Sequence, residues 1–250
     1  FQEVTAVPGE AIQSPMYFGN GPVTEFGFAA TLAPKFMNTG ELRGDLEAFG
    51  EGWGLMPSDK AVVFLDNHDS QRNGQAPLTY KNGDLYTLAN VFMLAYPYGY
   101  PRVMSSYYFD YADTAAGPPA APVHGPDGKV NCGEGPSGHG WVCEHRRPAI
   151  ANMVKWRREA GESPVTHFFS TGDALAFCRG AAACMAINRG STDLSGEMPI
   201  GMAAGEYCNV IVSDDPAECP RVVVSADGMI KEGHVPAMGA IAIHTGAQAK

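Results

Sequence analysis

At 250 residues and 45% hydrophobic, the chain is long enough for one large domain or a medium domain with a smaller companion, and too apolar for disorder. Lys and Arg number 17 against 27 Asp and Glu, a net charge of −10. That balance excludes a binder that tracks nucleic-acid phosphates and a surface that adheres to anionic membranes. No run of about 18 apolar residues occurs, so nothing reads as a membrane-spanning helix.

Phe1-Gln2-Glu3-Val4 opens mid-pattern and reads as a cut piece or a processed product. Ala61 to Leu65 is a continuous apolar run, the pattern of a strand buried on both faces in a parallel sheet. It stops at Asp66-Asn67-His68-Asp69, which places a dense polar cluster at the carboxyl end of that strand. Leu85, Leu88, Phe92 and Ala95 then recur at helical spacing until Pro97 and Gly99. Pro101 to Ser106 reads as the next short strand, completing a βαβ rhythm. Residues 110 to 140 are a Gly- and Pro-rich loop. Pro148 starts a second helix carrying Ile150, Met153, Val154 and Arg157, which ends at Gly161.

Beyond Gly161-Glu162-Ser163-Pro164 the pattern changes to short β-like runs at 174–177, 184–187, 208–212, 222–224 and 240–243. These predict an antiparallel β module, a sandwich, over 162–250, behind an α/β region over 1–161. The six cysteines fall into close pairs, Cys132/Cys143, Cys178/Cys184 and Cys208/Cys219. None forms a C-x-x-C motif, so local disulfide staples are expected, with buried free thiols as the alternative.

Chemistry concentrates in 66–69, where Asn67 and Asp69 are placed to face one site, unless the segment is only a capping turn. Glu3 is a candidate strand-end carboxylate, although an exposed edge glutamate is the commoner fate. Arg102, entering an apolar run, needs a carboxylate or a bound anion as partner. His145, Arg146 and Arg147 read as a solvated helix entrance, and Trp53 as core rather than a sugar platform.

Phe1-Gln2-Glu3-Val4, Tyr17 to Gly21, Val23 to Phe26, Glu51 to Gly54, Phe64 to Asp69, Met104 to Tyr107 and Trp141 to Arg146 together resemble the animal-type, chloride-dependent α-amylases of glycoside hydrolase family 13. The resemblance is collinear from residue 1 and thins after about residue 165. It implies an α/β fold, the C-terminal part of a (β/α)₈ TIM barrel from the end of the fifth strand onward, followed by an all-β antiparallel domain C. It also implies endo-hydrolysis of α-1,4-glucosidic bonds in starch, glycogen and maltooligosaccharides. Glu3 matches the general acid/base, Asp69 the carboxylate that stabilises the transition state, and His68 a sugar-binding histidine. Asn67 and Arg102 match two chloride ligands. The nucleophile, a third chloride ligand and the calcium ligands would lie upstream of Phe1. The chain by itself is therefore expected to be inactive, and the parent a secreted, extracellular monomer with no nucleic-acid or membrane partner.

Retaining hydrolysis needs a protonated acid beside the leaving oxygen and a carboxylate at the anomeric carbon. A chloride held near Glu3 would favour the protonated acid. Two departures from the family pattern stand out: Ser70 to Gln75 replaces a Gly-rich mobile loop, and Cys178/Cys184 looks like an added staple. The alternative function is a non-catalytic carbohydrate-binding relative of the same fold. A sucrose- or trehalose-processing relative fits less well, since those lack the Trp141 to His145 block.

Overall fold

The computed structural model describes residues 1–7, 9–110, 117–118, 122–133 and 140–249. Much of the expected 110–140 loop therefore lies outside the described residues. The first part holds β1 (Val23–Thr24), α1 (Phe26–Met37), β2 (Ala61–Val63), the short α2 (Ser70–Asn73), α3 (Asp84–Ala95), β3 (Tyr100–Pro101) and α4 (Pro148–Ala160). The order β1-β2-β3 is parallel throughout, with Val23 opposite Ala61 and Val62 opposite Tyr100. Gln2 extends this sheet by a parallel bridge to Val23.

Every residue of β2 is buried, as its unbroken apolar sequence requires. Phe64, Leu65 and Asp66 stay buried past the end of the ladder, and the chain reaches the surface only at His68 and Asp69. The third strand is shorter than predicted. Pro101 brings no N–H, and the ladder ends with Arg102 N–H donating to the Val63 carbonyl at 2.8 Å. Helix α3 covers the predicted span, and α4 starts on Pro148 and stops before Gly161, whose φ is 53°. Of the residues named on this helix, Ile150 and Met153 are buried and Val154 is exposed.

The second part holds β4 (Val165–Ser170), β5 (Ala174–Arg179), β6 (Ala183–Asn188), β7 (Leu194–Pro199), β8 (Gly205–Cys208), β9 (Arg221–Val224), β10 (Met229–Val235) and β11 (Gly239–His244). All pair antiparallel, in the orders β11-β6-β5-β4, β10-β7 and β8-β9. One predicted strand is lost: only Cys208 of 208–212 is in a ladder. Asn209 Oδ1 accepts from Ile211 N and Ala242 N, which turns the chain there.

The side chains of β5, β6 and β11 sort by alternation. Leu175, Phe177, Met185, Ile187 and Ala242 join Phe36, Phe92 and Trp156 in one core. Cys178, Cys184, Ala186, Ile241 and Ile243 join Ile200, Ile230 and Val235 in a second. The four-stranded sheet is thus covered on one face by helices and on the other by strands, and the first core runs across residues 161–164. Arg157 fastens this joint, donating to the carbonyls of Leu94, Tyr96 and Gly99 at the end of α3. Arg179 adds bonds to Ala95, Gly161 and Ser163. Burial lowers the Arg157 pKa to about 10, which leaves it charged at neutral pH.

The three expected disulfides are formed. Cys132–Cys143, Cys178–Cys184 and Cys208–Cys219 have Cα separations of 5.7, 4.0 and 5.3 Å, and no cysteine is free. Cys178 and Cys184 are direct partners across the β5–β6 hairpin.

Candidate active site

The parallel sheet sets the geometry. Glu3 follows the Gln2 bridge, Asn67 to Asp69 follow β2, and Arg102 follows β3, so all five candidates sit at carboxyl ends of parallel strands. That rim is where α/β folds gather their chemistry, because loops leave it freely while the sheet fixes their origins.

Asn67 joins two of these ends. Its Nδ2 donates to Glu3 Oε1 at 3.4 Å, across 64 residues of sequence. Its Oδ1 accepts from Asp69 N at 3.1 Å and Ser70 N at 2.7 Å, capping the turn into α2. Ser70 Oγ returns a bond from Asn67 N at 2.9 Å. The capping turn that the sequence offered as the alternative is formed, and the same Asn67 side chain also reaches Glu3 on a neighbouring strand end. Beyond the turn, His68 Nε2 lies 3.6 Å from Asp69 Oδ2, with both side chains about 70% exposed and open to a large ligand.

Arg102 departs from expectation. It is exposed, so the argument that a buried charge demands a partner does not hold for it here. Its guanidinium stacks over the Phe1 ring, 4.3 Å from the centroid, which brings the β3 end to the strand carrying Glu3.

Behind the turn lies a polar network that the sequence did not reveal. Asp66 is 3% exposed and accepts from Tyr86 Oη at 2.8 Å and Gln71 Nε2 at 3.2 Å. Gln71 also donates to Ser106 Oγ at 2.9 Å. Ser106 in turn donates through both its hydroxyl and its amide to the fully buried Glu144. Burial, assisted by the charge of Glu144 and opposed by the bonds from Tyr86 and Gln71, pushes the Asp66 carboxyl up to about 7. Tyr86 is raised by the same burial and by Asp66. Asp66 belonged to the cluster noticed in the sequence, and Glu144 to the Trp141 to Arg146 block. Their pairing spans 78 positions and has no local signal.

Among the described residues no group of three His, Cys, Asp or Glu side chains is placed to hold a metal ion. No helix among them is long and apolar enough to cross a membrane.

Residues 170–246 match the α-amylase C-terminal all-β domain. The chain is 41% identical over 245 residues to pancreatic α-amylase of Sus scrofa, and 40% identical over 244 residues to α-amylase 1B of Homo sapiens. Each match takes in 91% of this chain and 48% of the relative, so the chain spans about half the length of these relatives. Among solved structures, wild-type α-amylase I of Eisenia fetida superposes with a TM-score of 0.81 at 33% identity, over 98% of this chain and 53% of that one. A mutant of the same enzyme in complex with maltohexaose gives 0.82. By sequence and by fold, the chain is similar to the animal α-amylases over about half their length.

Proposed function

We propose that this chain is the carboxy-terminal half of a retaining α-amylase that cleaves internal α-1,4-glucosidic bonds of starch, glycogen and maltooligosaccharides. In this reading residues 1–161 are the later part of a TIM barrel, and 162–250 are domain C. The observation that carries it is the convergence of Glu3, Asn67 and the His68–Asp69 turn on one rim, with Asn67 bonded to Glu3 at 3.4 Å.

Glu3 is the acid/base. It gives its proton to the leaving glycosidic oxygen and later takes one from the attacking water. Asp69 accepts hydrogen bonds from sugar hydroxyls and stabilises positive charge developing on the ring, and His68 donates beside it. Asn67 holds the Glu3 carboxylate in place. The nucleophilic carboxylate belongs to the upstream half, so the 250-residue chain alone should not turn over a blocked maltooligosaccharide.

Asn67 Nδ2 and the Arg102 guanidinium are both donors at this rim, the donor type that holds a halide. A chloride there would supply negative charge near Glu3. Calcium finds no ligand set among the described residues, and no step of this mechanism uses it. Secretion agrees with three disulfides, which persist in oxidising compartments.

The test is Glu3→Gln in the full-length protein. Turnover of maltooligosaccharide should fall by ~10²-fold or more while circular dichroism is unchanged. Residual activity above about a tenth of wild type would refute the assignment, since a general acid contributes ~10²-fold at least.

A further inference from the structure

The β module contains a cavity of about 510 Å³ between its sheet layers, remote in sequence from the strand-end rim. Its origin is legible in the residues. Ala176 and Ala186 are cross-strand partners on the four-stranded sheet. Gly196 and Gly233 are cross-strand partners on the β7–β10 pair. Stacked sheets stand about 10 Å apart and are normally filled by interdigitating side chains. Here the pairs on both layers are the two smallest residues. The glycine at 233 is also required by close approach, because a Cβ there would lie 2.7 Å from the Gly196 carbonyl oxygen.

Strands β4 and β7 each lie at an edge of their sheets, and residues of both line the cavity. Phe169 and Leu194, among that lining, are 61% and 38% exposed, so we take this side as the one open to solvent. Both layers are irregular here, with register shifts between Thr166 and Phe169 and between Ile230 and Gly233. Such bulges bend strand edges and re-aim side chains.

The walls select a guest. Most of the lining is aliphatic, aromatic or disulfide sulfur, which offers water few hydrogen-bond partners. The lining contains no Lys or Arg, so an anionic head group would lose its hydration there without a counter-charge. His167 and Thr171 supply polar groups. A 150 Å³ apolar cavity holds one benzene, so this space takes a chain of about ten carbons with room to spare.

We propose that this cavity binds one uncharged amphiphile, with its unbranched alkyl or acyl chain between the sheets and its alcohol or ester group at the β4–β7 opening. The site is independent of the hydrolase assignment, and its test reads binding alone.

The 250-residue chain is titrated with Nile red, which is then displaced by decanol, with decanoate as the charged control. Decanol should displace the dye at one site per chain and decanoate should compete more weakly. Ala176→Phe and Ala186→Leu, which fill the space from one wall, should each weaken decanol binding by about tenfold or more with unchanged circular dichroism. If one of them misfolds, the other carries the test. Undiminished decanol binding in the folded filled variants overturns the proposal, as does wild-type affinity for decanoate equal to that for decanol.

Discussion

Substituting Asp66 by Asn isolates the cost of keeping a carboxyl group in the network behind the His68–Asp69 turn. In the unfolded chain Asp66 loses its proton near its ordinary 3.8; in the fold it keeps it up to about 7. The folded state therefore binds the extra proton. The stability this contributes is complete below pH ~4 and is lost as the pH rises through about 7. A rise from 3.8 to about 7 is worth about 4 kcal/mol across that window. Asn has the shape of the protonated acid but does not titrate. Gln71 must turn its amide so that its oxygen meets the new Asn N–H, and Ser106, which also donates to Glu144, must adjust with it. That adjustment sets a constant offset. Two other groups titrate differently. Asp227, held at about 2 by Lys231 and Ser225, acts below the window. His244, pushed down by burial, stabilises as the pH rises and so opposes Asp66. The quantity to measure is therefore the difference between variant and wild type. Urea unfolding of the 250-residue chain at pH 4.5, 6 and 7.5 should show the variant gaining about 3 kcal/mol relative to wild type from the lowest to the highest pH, the remaining 1 kcal/mol or so of that rise falling below pH 4.5. Parallel pH profiles, differing by less than about 0.5 kcal/mol in shape, would show that Asp66 titrates normally and that the network does not hold its proton.

Trp156→Phe removes the indole N–H that bonds the Ile243 carbonyl at 2.9 Å and ties α4 to β11. Urea unfolding should show a loss of about 1–3 kcal/mol, because a buried carbonyl is left unpaired. Arg157→Lys replaces a fork serving the Leu94, Tyr96 and Gly99 carbonyls by a point donor. A similar loss of about 1–3 kcal/mol is expected by the same assay, and an unchanged midpoint would show that the fork is dispensable. Non-reducing peptide mapping should recover Cys132 with Cys143, Cys178 with Cys184 and Cys208 with Cys219, and a Cys143–Cys178 peptide would contradict the fold.

What the sequence disclosed follows from the range of the interactions involved. Helix α3 and the start and stop of α4 rest on periodicity, Pro148 and Gly161, all local signals. The two-faced burial of β2 was visible as an unbroken apolar run, and the disulfides as short spacings. Helix α1 passed unnoticed, since its cap is Glu25 acting on Gly27 N rather than a Ser, Thr or Asp at the start. Strands β4, β7 and β10 were missed because β7 is almost wholly exposed and register shifts break the alternation of β4 and β10. At the candidate site, strand-end chemistry singled out residues 66–69, Glu3 and Arg102, and the family resemblance supplied the roles expected of them. Their support was not legible: Asp66 reaches Glu144 through Gln71 and Ser106, and only the fold brings those four together.

The shared core bears on whether the β module folds alone. Its inner core, around Ile200, Ile230 and Ile243, belongs to the strands themselves, as the sequence suggested. Its other face does not. Leu175, Phe177, Met185 and Ile187 pack on α1, α3 and α4, and Trp156 bonds directly to β6 and β11 carbonyls. Residues 162–250 expressed alone would present those four side chains to water. Burying one such side chain is worth roughly 1.5–3 kcal/mol, so the bared face loses about as much as a whole domain's net stability. The two hairpin disulfides limit unfolding, yet they leave that apolar patch exposed. The fragment should therefore keep β structure by circular dichroism and self-associate in analytical ultracentrifugation. Met185→Lys with Ile187→Lys should make it monomeric, because both residues lie on the bared face. A fragment 162–250 that is monomeric and as stable as the whole chain would show that the helices cover this sheet without supporting it.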